Sequence, residues 1–239
     1  PAIFAALRSA LQRGVSVQIV QDPTPVGNAC RVFGTSSSPD NGQNDGQPGD
    51  QPHHSANAVS CADQQKFVAE VNASKNGKYA PFRKDVMCPN GKGCYEHGKL
   101  AVIDGSLAMI SSGNFNVSNL CDRAAKPAQC DRDYSFVTRD SDVVDTLSKI
   151  VASDITGTRF DLGGLLPPQV AAKITVGPQS RDSLLSFIES ARSSIEIENQ
   201  YLKDATLNDA LMAAAKRGVQ VKVLLASGCE FGMPKPTEV

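Results

Sequence analysis

Residues 97–114 read HGKLAVIDGSLAMISSGN and contain two short apolar runs on either side of an Asp-Gly pair. The first run predicts a β-strand. In a strand, side chains two residues apart lie on one face, so His97 and Lys99 are predicted to point into the same site. Val102 and Ile103 are expected to continue this strand into the core.

The second run is predicted to return antiparallel to the first. Asp104 and Gly105 are typical of a tight turn, and residues 107–110 are expected to form a second buried strand. The end of that strand carries Ser112 and Asn114, again two residues apart and on one face. The hairpin therefore predicts that Ser112 and Asn114 lie beside the His-x-Lys pair.

These side chains suit the chemistry of a phosphate ester. An imidazole is a nucleophile, and a cation with hydroxyl and amide donors stabilises the negative non-bridging oxygens of a phosphate. An isolated histidine is more often a structural, hydrogen-bonded residue. The four further positions in register with His97 favour a reactive site.

The spacing resembles the signature of the phospholipase D superfamily, H-x-K-x4-D-x6-G-S-x-N. The matching residues are His97, Lys99, Asp104, Ser112 and Asn114. One departure is Ser111, which stands where glycine is usual. A serine is tolerated there if its backbone is not left-handed.

The resemblance implies an α/β class fold, a phospholipase D-like α/β/α sandwich with a central mixed sheet. Two motifs of this kind would meet across a pseudo-two-fold axis to form one site. One histidine would attack phosphorus to give a phosphohistidine, and the other would protonate the leaving alcohol and then activate water or an acceptor alcohol. His97 would take one of these roles, Lys99, Ser112 and Asn114 would hold the phosphate oxygens, and no metal or cofactor is implied.

The same resemblance gives roles to two acidic residues. The motif counts Asp104 among its catalytic residues, whereas its place between two strands indicates that its side chain caps the turn. The family also has an acidic residue after the asparagine that orients a catalytic histidine. Asp133 occupies the comparable position if the segment 121–130 is an insertion.

A helix that ends in Arg-Gly-Val and leads into a strand occurs near both ends of the chain. The residues Ala6, Leu7, Ala10, Arg13, Gly14, Val15 and Val17 recur 204 positions later as Ala210, Leu211, Ala214, Arg217, Gly218, Val219 and Val221. Chance similarity is one explanation, and internal duplication is favoured. The predicted organisation is a first repeat at 1–154 that is truncated at its N-terminus and carries the motif, a linker at 155–172 and an incomplete second repeat at 173–239. The chain is expected to be cut inside both repeats.

The remaining pattern alternates helices with short strands, as α/β proteins do. Helices are predicted near 3–11, 62–71, 142–153 and 182–191, strands near 15–19, 136–138 and 194–198, and a flexible loop at 34–60.

The chain contains seven cysteines, and six of them form three pairs that are close in sequence. These pairs are Cys30 with Cys61, Cys88 with Cys94, and Cys121 with Cys130. Local pairing favours disulfides over free buried thiols, and the spacing of a zinc site is absent. Disulfides persist in oxidising compartments, so a secreted or periplasmic protein is expected, with Cys229 left over.

Charge and composition bear on the substrate. The charges of the 24 basic and 25 acidic side chains nearly cancel. The net charge of the chain therefore does not attract nucleic acid or an anionic membrane. No apolar run approaches the roughly 20 residues of a membrane-spanning helix.

The leading hypothesis is a phospholipase D-type hydrolase or phosphatidyltransferase that meets phospholipid transiently at a membrane surface. The alternatives are a nuclease, which the neutral charge disfavours, and a non-catalytic phosphate-binding module. A second motif is expected from the missing C-terminal half or from a dimer mate.

Overall fold

A computed structural model describes residues 2–23, 32–33, 60–88, 95–115, 119–120, 131–159, 166–177 and 180–226. The predicted loop at 34–60, apart from Ser60, lies outside these residues. The described residues belong to two compact units, which divide after Val170.

The described residues of the first unit form five strands and most of the helices. Its helices are α1 (Ala2–Gln12), α2 (Cys61–Ala73), α3 (Lys84–Met87), α4 (Ser141–Thr156) and α5 (Pro168–Ala171), whose last residue already belongs to the second unit. Its strands are β1 (Val17–Gln21), β2 (Gly77–Pro81), β3 (Leu100–Ile103), β4 (Leu107–Ser111) and β5 (Ser135–Thr138).

The boundaries of the two long helices follow from their caps. Ser60 accepts a hydrogen bond from the backbone N–H of Asp63 and begins α2, and Asp140 begins α4 by accepting from Val143. Gly157 ends α4 with a φ of 67°, a left-handed conformation that glycine adopts without strain.

The strands of the first unit form two separate sheets among the described residues. β1 and β2 are parallel, while β3, β4 and β5 are antiparallel in that order. The predicted central mixed sheet is thus not seen as one hydrogen-bonded sheet in the described part of the chain. Instead, α4 packs against β1, β2, β3 and β4 and so covers both sheets.

The core of the first unit lies between β2 and the helices α1 and α2. Phe67 and Val71 of α2 pack with Tyr79 of β2, and the ring of Phe4 stacks on Phe67 with centroids 4.0 Å apart. Tyr79 and its neighbour Ala80 are both buried. Because successive strand residues face opposite sides, both faces of β2 are covered.

The structure confirms the predicted hairpin and the predicted helices, but it corrects one expectation about burial. Ile103 is 54% exposed and does not enter the core. An apolar run does not show which side of its strand a helix covers. The sequence also failed to predict β2 and α3.

The second unit consists of two helices and two strands among its described residues. These are α6 (Arg181–Ser190), β6 (Ser194–Asn199), α7 (Ala205–Lys216) and β7 (Gln220–Leu225). β6 and β7 are parallel, and a core cluster joins both helices to both strands through Ile188, Ile195, Leu211, Ala214 and Val219.

The recurring Arg-Gly-Val segment has the same local conformation in both units. Gly14 follows α1 with a φ of 85°, and Gly218 follows α7 with a φ of 89°. Each glycine ends a helix and leads into a parallel strand.

The predicted linker at 155–172 is not irregular throughout. It holds the last turn of α4 and the short helix α5, which begins at Pro168. Proline is favoured at the first position of a helix because the N–H that it lacks has no partner there.

Candidate functional site

The structure brings His97 and Lys99 into direct contact. The Nζ of Lys99 lies 2.9 Å from Nδ1 of His97, and it also donates to the backbone carbonyl of His97 at 2.7 Å. Lys99 is 8% exposed, whereas the imidazole is open to solvent. The backbone N–H of Ser111 donates to the carbonyl of Lys99 at 2.7 Å, so the end of β4 lies beside the pair.

The electrostatics of this pair follow from partial burial. Desolvation lowers the pKa of the Lys99 ammonium, and the charges of Glu96 and Asp133 act in the opposite direction. Desolvation, and then the charge of Lys99, lowers the pKa of His97. The imidazole is therefore neutral near pH 7, as a nucleophile requires.

Ser112 lies at this end of β4 but is engaged with a neighbour. Its hydroxyl donates to Oδ1 of Asp133 at 2.8 Å and accepts from the backbone N–H of Tyr134 at 3.0 Å. The hydroxyl must rotate away from Asp133 to donate to a phosphate oxygen. Asn114 follows β4 and is exposed.

Among the described hydrogen bonds, Asp133 does not contact His97, and its role in orienting a catalytic histidine stays a prediction. Its carboxylate instead accepts from Ser112 and, at 2.6 Å, from Nδ2 of Asn119. The reason is the strand order: Asp133 precedes β5, which pairs with β4, whereas His97 precedes β3 on the far side of β4. Asp133 therefore orients Ser112 and lies close enough to act on the charge of Lys99.

The two residues around Ser112 explain how the local motif is built. Ser111 replaces the usual glycine without strain, because its φ is not positive, and its Oγ accepts from the backbone N–H of Gly113 at 3.2 Å. A Cβ at Gly113 would lie 2.4 Å from the Asp133 carboxylate. Gly113 is required so that the carboxylate can approach Ser112.

Asp104 lies in the β3–β4 turn, at the opposite end of β3 from Lys99. Its φ is 52° and that of Gly105 is 58°, which are the positive values of a type I′ turn. Five residues of strand separate Asp104 from Lys99 by about 16 Å. The geometry supports the turn role of Asp104 and not a chemical one.

Substituting Asp104 tests this assignment. Asparagine tolerates the left-handed conformation, so Asp104→Asn should leave kcat within about threefold of the natural value. Asp104→Val should lower the free energy of unfolding by roughly 1–2 kcal/mol, because a β-branched residue is strained at positive φ. Thermal unfolding and steady-state kinetics measure the two effects, and a loss of kcat in Asp104→Asn as large as that of a nucleophile variant would contradict the turn role.

The structure adds two acidic residues that the motif did not indicate. Glu96 accepts a hydrogen bond from the backbone N–H of Gly98 at 2.7 Å, and burial raises its pKa. Asp154 of α4 is 6% exposed, and burial together with the charge of Glu96 raises its pKa to about 7. A signal was present for Asp154, because it continues the apolar stripe of Leu147 and Ile150 at helical spacing.

Of the cysteines, the structure describes two. Cys61 and Cys88 are each disulfide-bonded, and the other five cysteines lie outside the described residues, so the pairing stays a prediction. The described residues include no group of three histidine, cysteine or acidic side chains placed to hold a metal ion. No helix in the same part of the chain is long and apolar enough to cross a membrane.

Comparison with known proteins gives a family match. The family described as "Cardiolipin synthase, PLD-like domain" matches residues 1–155 and 184–236, which is most of the chain. Searches of curated proteins and of solved structures found no match. The matched residues include the whole His97–Asn114 motif, and the chain therefore belongs to the phospholipase D superfamily, a membership that points to a phosphodiesterase-type enzyme.

Proposed function

We propose that this chain supplies half of a phospholipase D-type active site that cleaves or transfers the phosphodiester bond of phospholipids. The observation that carries the proposal is the His97–Lys99 pair, in which a buried ammonium touches a solvent-open, neutral imidazole. A nucleophile and an anion-binding cation then share one small site.

The contact between the two side chains suggests how the imidazole is activated. An ammonium can only donate, so Nδ1 of His97 accepts from Lys99 and the proton of the neutral ring lies on Nε2. An incoming phosphate oxygen would compete for the Lys99 ammonium. Once Lys99 turns to the phosphate, the ring proton can lie on Nδ1, which leaves a lone pair on Nε2 for attack.

In the nucleophilic role, Nε2 of His97 forms a bond to phosphorus while the bond from phosphorus to the leaving alcohol oxygen breaks. The histidine of a second motif gives its proton to that oxygen. Water or an acceptor alcohol then returns a proton to the second histidine, attacks phosphorus and displaces Nε2. In the alternative role His97 is the acid and base, and the second histidine is the nucleophile. Lys99, Ser112 and Asn114 would hold the phosphate oxygens, and the charge of Lys99 would offset the negative charge of the transition state.

The second motif is expected from a duplicated architecture. The conformation shared by Gly14 and Gly218, and the two matched segments, support repeats at 1–154 and 173–239 joined through 155–172. Each would form part of an α/β/α sandwich. The partner motif would come from the continuation of the second repeat or from a second copy of the chain.

An exported protein is part of the proposal. Two cysteines of the described part are disulfide-bonded, and disulfides persist in secreted or periplasmic proteins. The proposed pairs remain Cys30 with Cys61, Cys88 with Cys94, and Cys121 with Cys130. Mass spectrometry of peptides from the unreduced protein identifies these pairs directly.

A lipid substrate is favoured over nucleic acid by the matched family and by the net charge of −1. The test assays the full-length protein on two substrates. We expect release of headgroup from phospholipid vesicles and no cleavage of plasmid DNA.

The same assay separates hydrolysis from transfer when an excess of a primary alcohol is added, because transfer yields a new phosphatidyl ester. Plasmid cleavage without headgroup release would replace the lipid proposal with the nuclease alternative. Inactivity on both substrates, with binding of inorganic phosphate retained, would support a phosphate-binding module instead.

A further inference from the structure

We propose that Glu96 is a positioning residue for His97 and Lys99, which holds the backbone between them and supplies a counter-charge for the ammonium. The inference rests on the proposed function for the reaction, but its geometry can be tested without turnover.

The side chain of Glu96 closes a short ring around His97. Its Oε1 accepts from the backbone N–H of Gly98 at 2.7 Å, and His97 lies between the two residues. A Cβ on Gly98 would lie 2.6 Å from the same oxygen. The carboxylate therefore occupies the space of a side chain at position 98 and holds the backbone that presents the imidazole.

Glu96 is also a counter-charge for the lysine. The ammonium of Lys99 is buried beside His97, and a buried ammonium without an opposing charge loses its proton readily. The charges of Glu96 and, second, Asp133 oppose that loss. Asp133 is shared with Ser112 and Asn119, whereas Glu96 precedes the His-x-Lys segment directly.

Several elements bring charged or titratable groups near Glu96. Asp22, after β1, raises the pKa of Glu96 further, and its Oδ1 lies 3.1 Å from Nζ of Lys84 in α3. His97 and Lys99 precede β3, and Asp133, before β5, acts on Lys99. α4 contributes Asp154, on which the charge of Glu96 acts.

The first test replaces Glu96 with glutamine, which keeps an acceptor for Gly98 but removes the charge. We expect the dissociation constant for inorganic phosphate to rise about tenfold, and the alkaline limb of kcat/KM to move to lower pH, because Lys99 loses its proton more readily. The matched control is Glu189→Gln on the exposed surface of α6. If Glu96→Gln binds phosphate as tightly as the natural protein, Glu96 only accepts the hydrogen bond from Gly98, and its role as a counter-charge is overturned.

The second test uses the close approach at Gly98. Gly98→Ala should push the carboxylate away and weaken phosphate binding as much as Glu96→Ala does, and the double variant should be no weaker than either. If the losses of phosphate affinity add in the double variant, the two positions act independently. The contact between Glu96 and Gly98 would then not position His97.

Because phosphate binding needs no turnover, an enzyme that fails to release headgroup would contradict the proposed function without deciding this inference.

Discussion

Replacing His97 with alanine should lower the turnover of the full-length enzyme by a factor on the order of 10⁴ to 10⁶, the range seen when a nucleophile or its base is removed. Both proposed roles of His97 pass through Nε2, and no other described histidine lies at the site. The imidazole is open to solvent, so the unfolding temperature should change by no more than about 2 °C. Steady-state kinetics on phospholipid vesicles and thermal unfolding measure the two quantities.

The controls for this variant are His53→Ala and His54→Ala, since the chain has only three histidines. Both controls should keep full turnover. Turnover of His97→Ala within tenfold of the natural value would remove His97 from the reaction. A single-turnover experiment that traps the phosphoprotein shows which role His97 has. If His97→Ala forms no phosphoprotein, His97 is the nucleophile. If the phosphoprotein still forms, His97 is the acid and base.

Replacing Lys99 with methionine should lower kcat/KM by a factor on the order of 10³, because removal of one group that stabilises the transition-state charge costs about that much. Methionine has a similar length and fills the same buried space. The free energy of unfolding should fall as well, because Glu96 and Asp133 lose an opposing charge.

The kinetics of Lys99→Met are measured at a temperature where thermal unfolding shows the variant to be folded, which separates a functional lysine from a structural one. Lys149→Met on the exposed surface of α4 is the matched control and should leave kcat/KM unchanged. Titration with inorganic phosphate gives a second measurement without turnover. Tight phosphate binding by Lys99→Met would contradict the role of Lys99 as the anion-binding cation.

The His-x-Lys pair and the hairpin were predictable because they depend on local spacing. Side chains two residues apart share a face of a strand, and an Asp-Gly pair favours the positive φ values seen at Asp104 and Gly105. The helix end at Gly14 was equally local. In each case the residues of one short segment determine the local conformation.

The role of Asp133 was less predictable because it depends on strand order. The sequence indicates an acidic residue near the site but not its partner. Only the pairing of β4 with β5 directs its carboxylate to Ser112 and away from His97. Burial of the apolar runs was uncertain for the same reason, since alternation predicts two faces and the position of α4 decides which one is covered.

By itself, the sequence determined the reactive pair, the turn and the family, because those features are encoded within eighteen consecutive residues. Only the tertiary structure decided the electrostatic setting of the pair. Glu96, Asp133 and Asp154 act on Lys99 or on one another from three separate segments, and their charges depend on how deeply α4 and the β3–β5 sheet bury them. Desolvation and distance are properties of packing, and no local spacing in the chain specifies them.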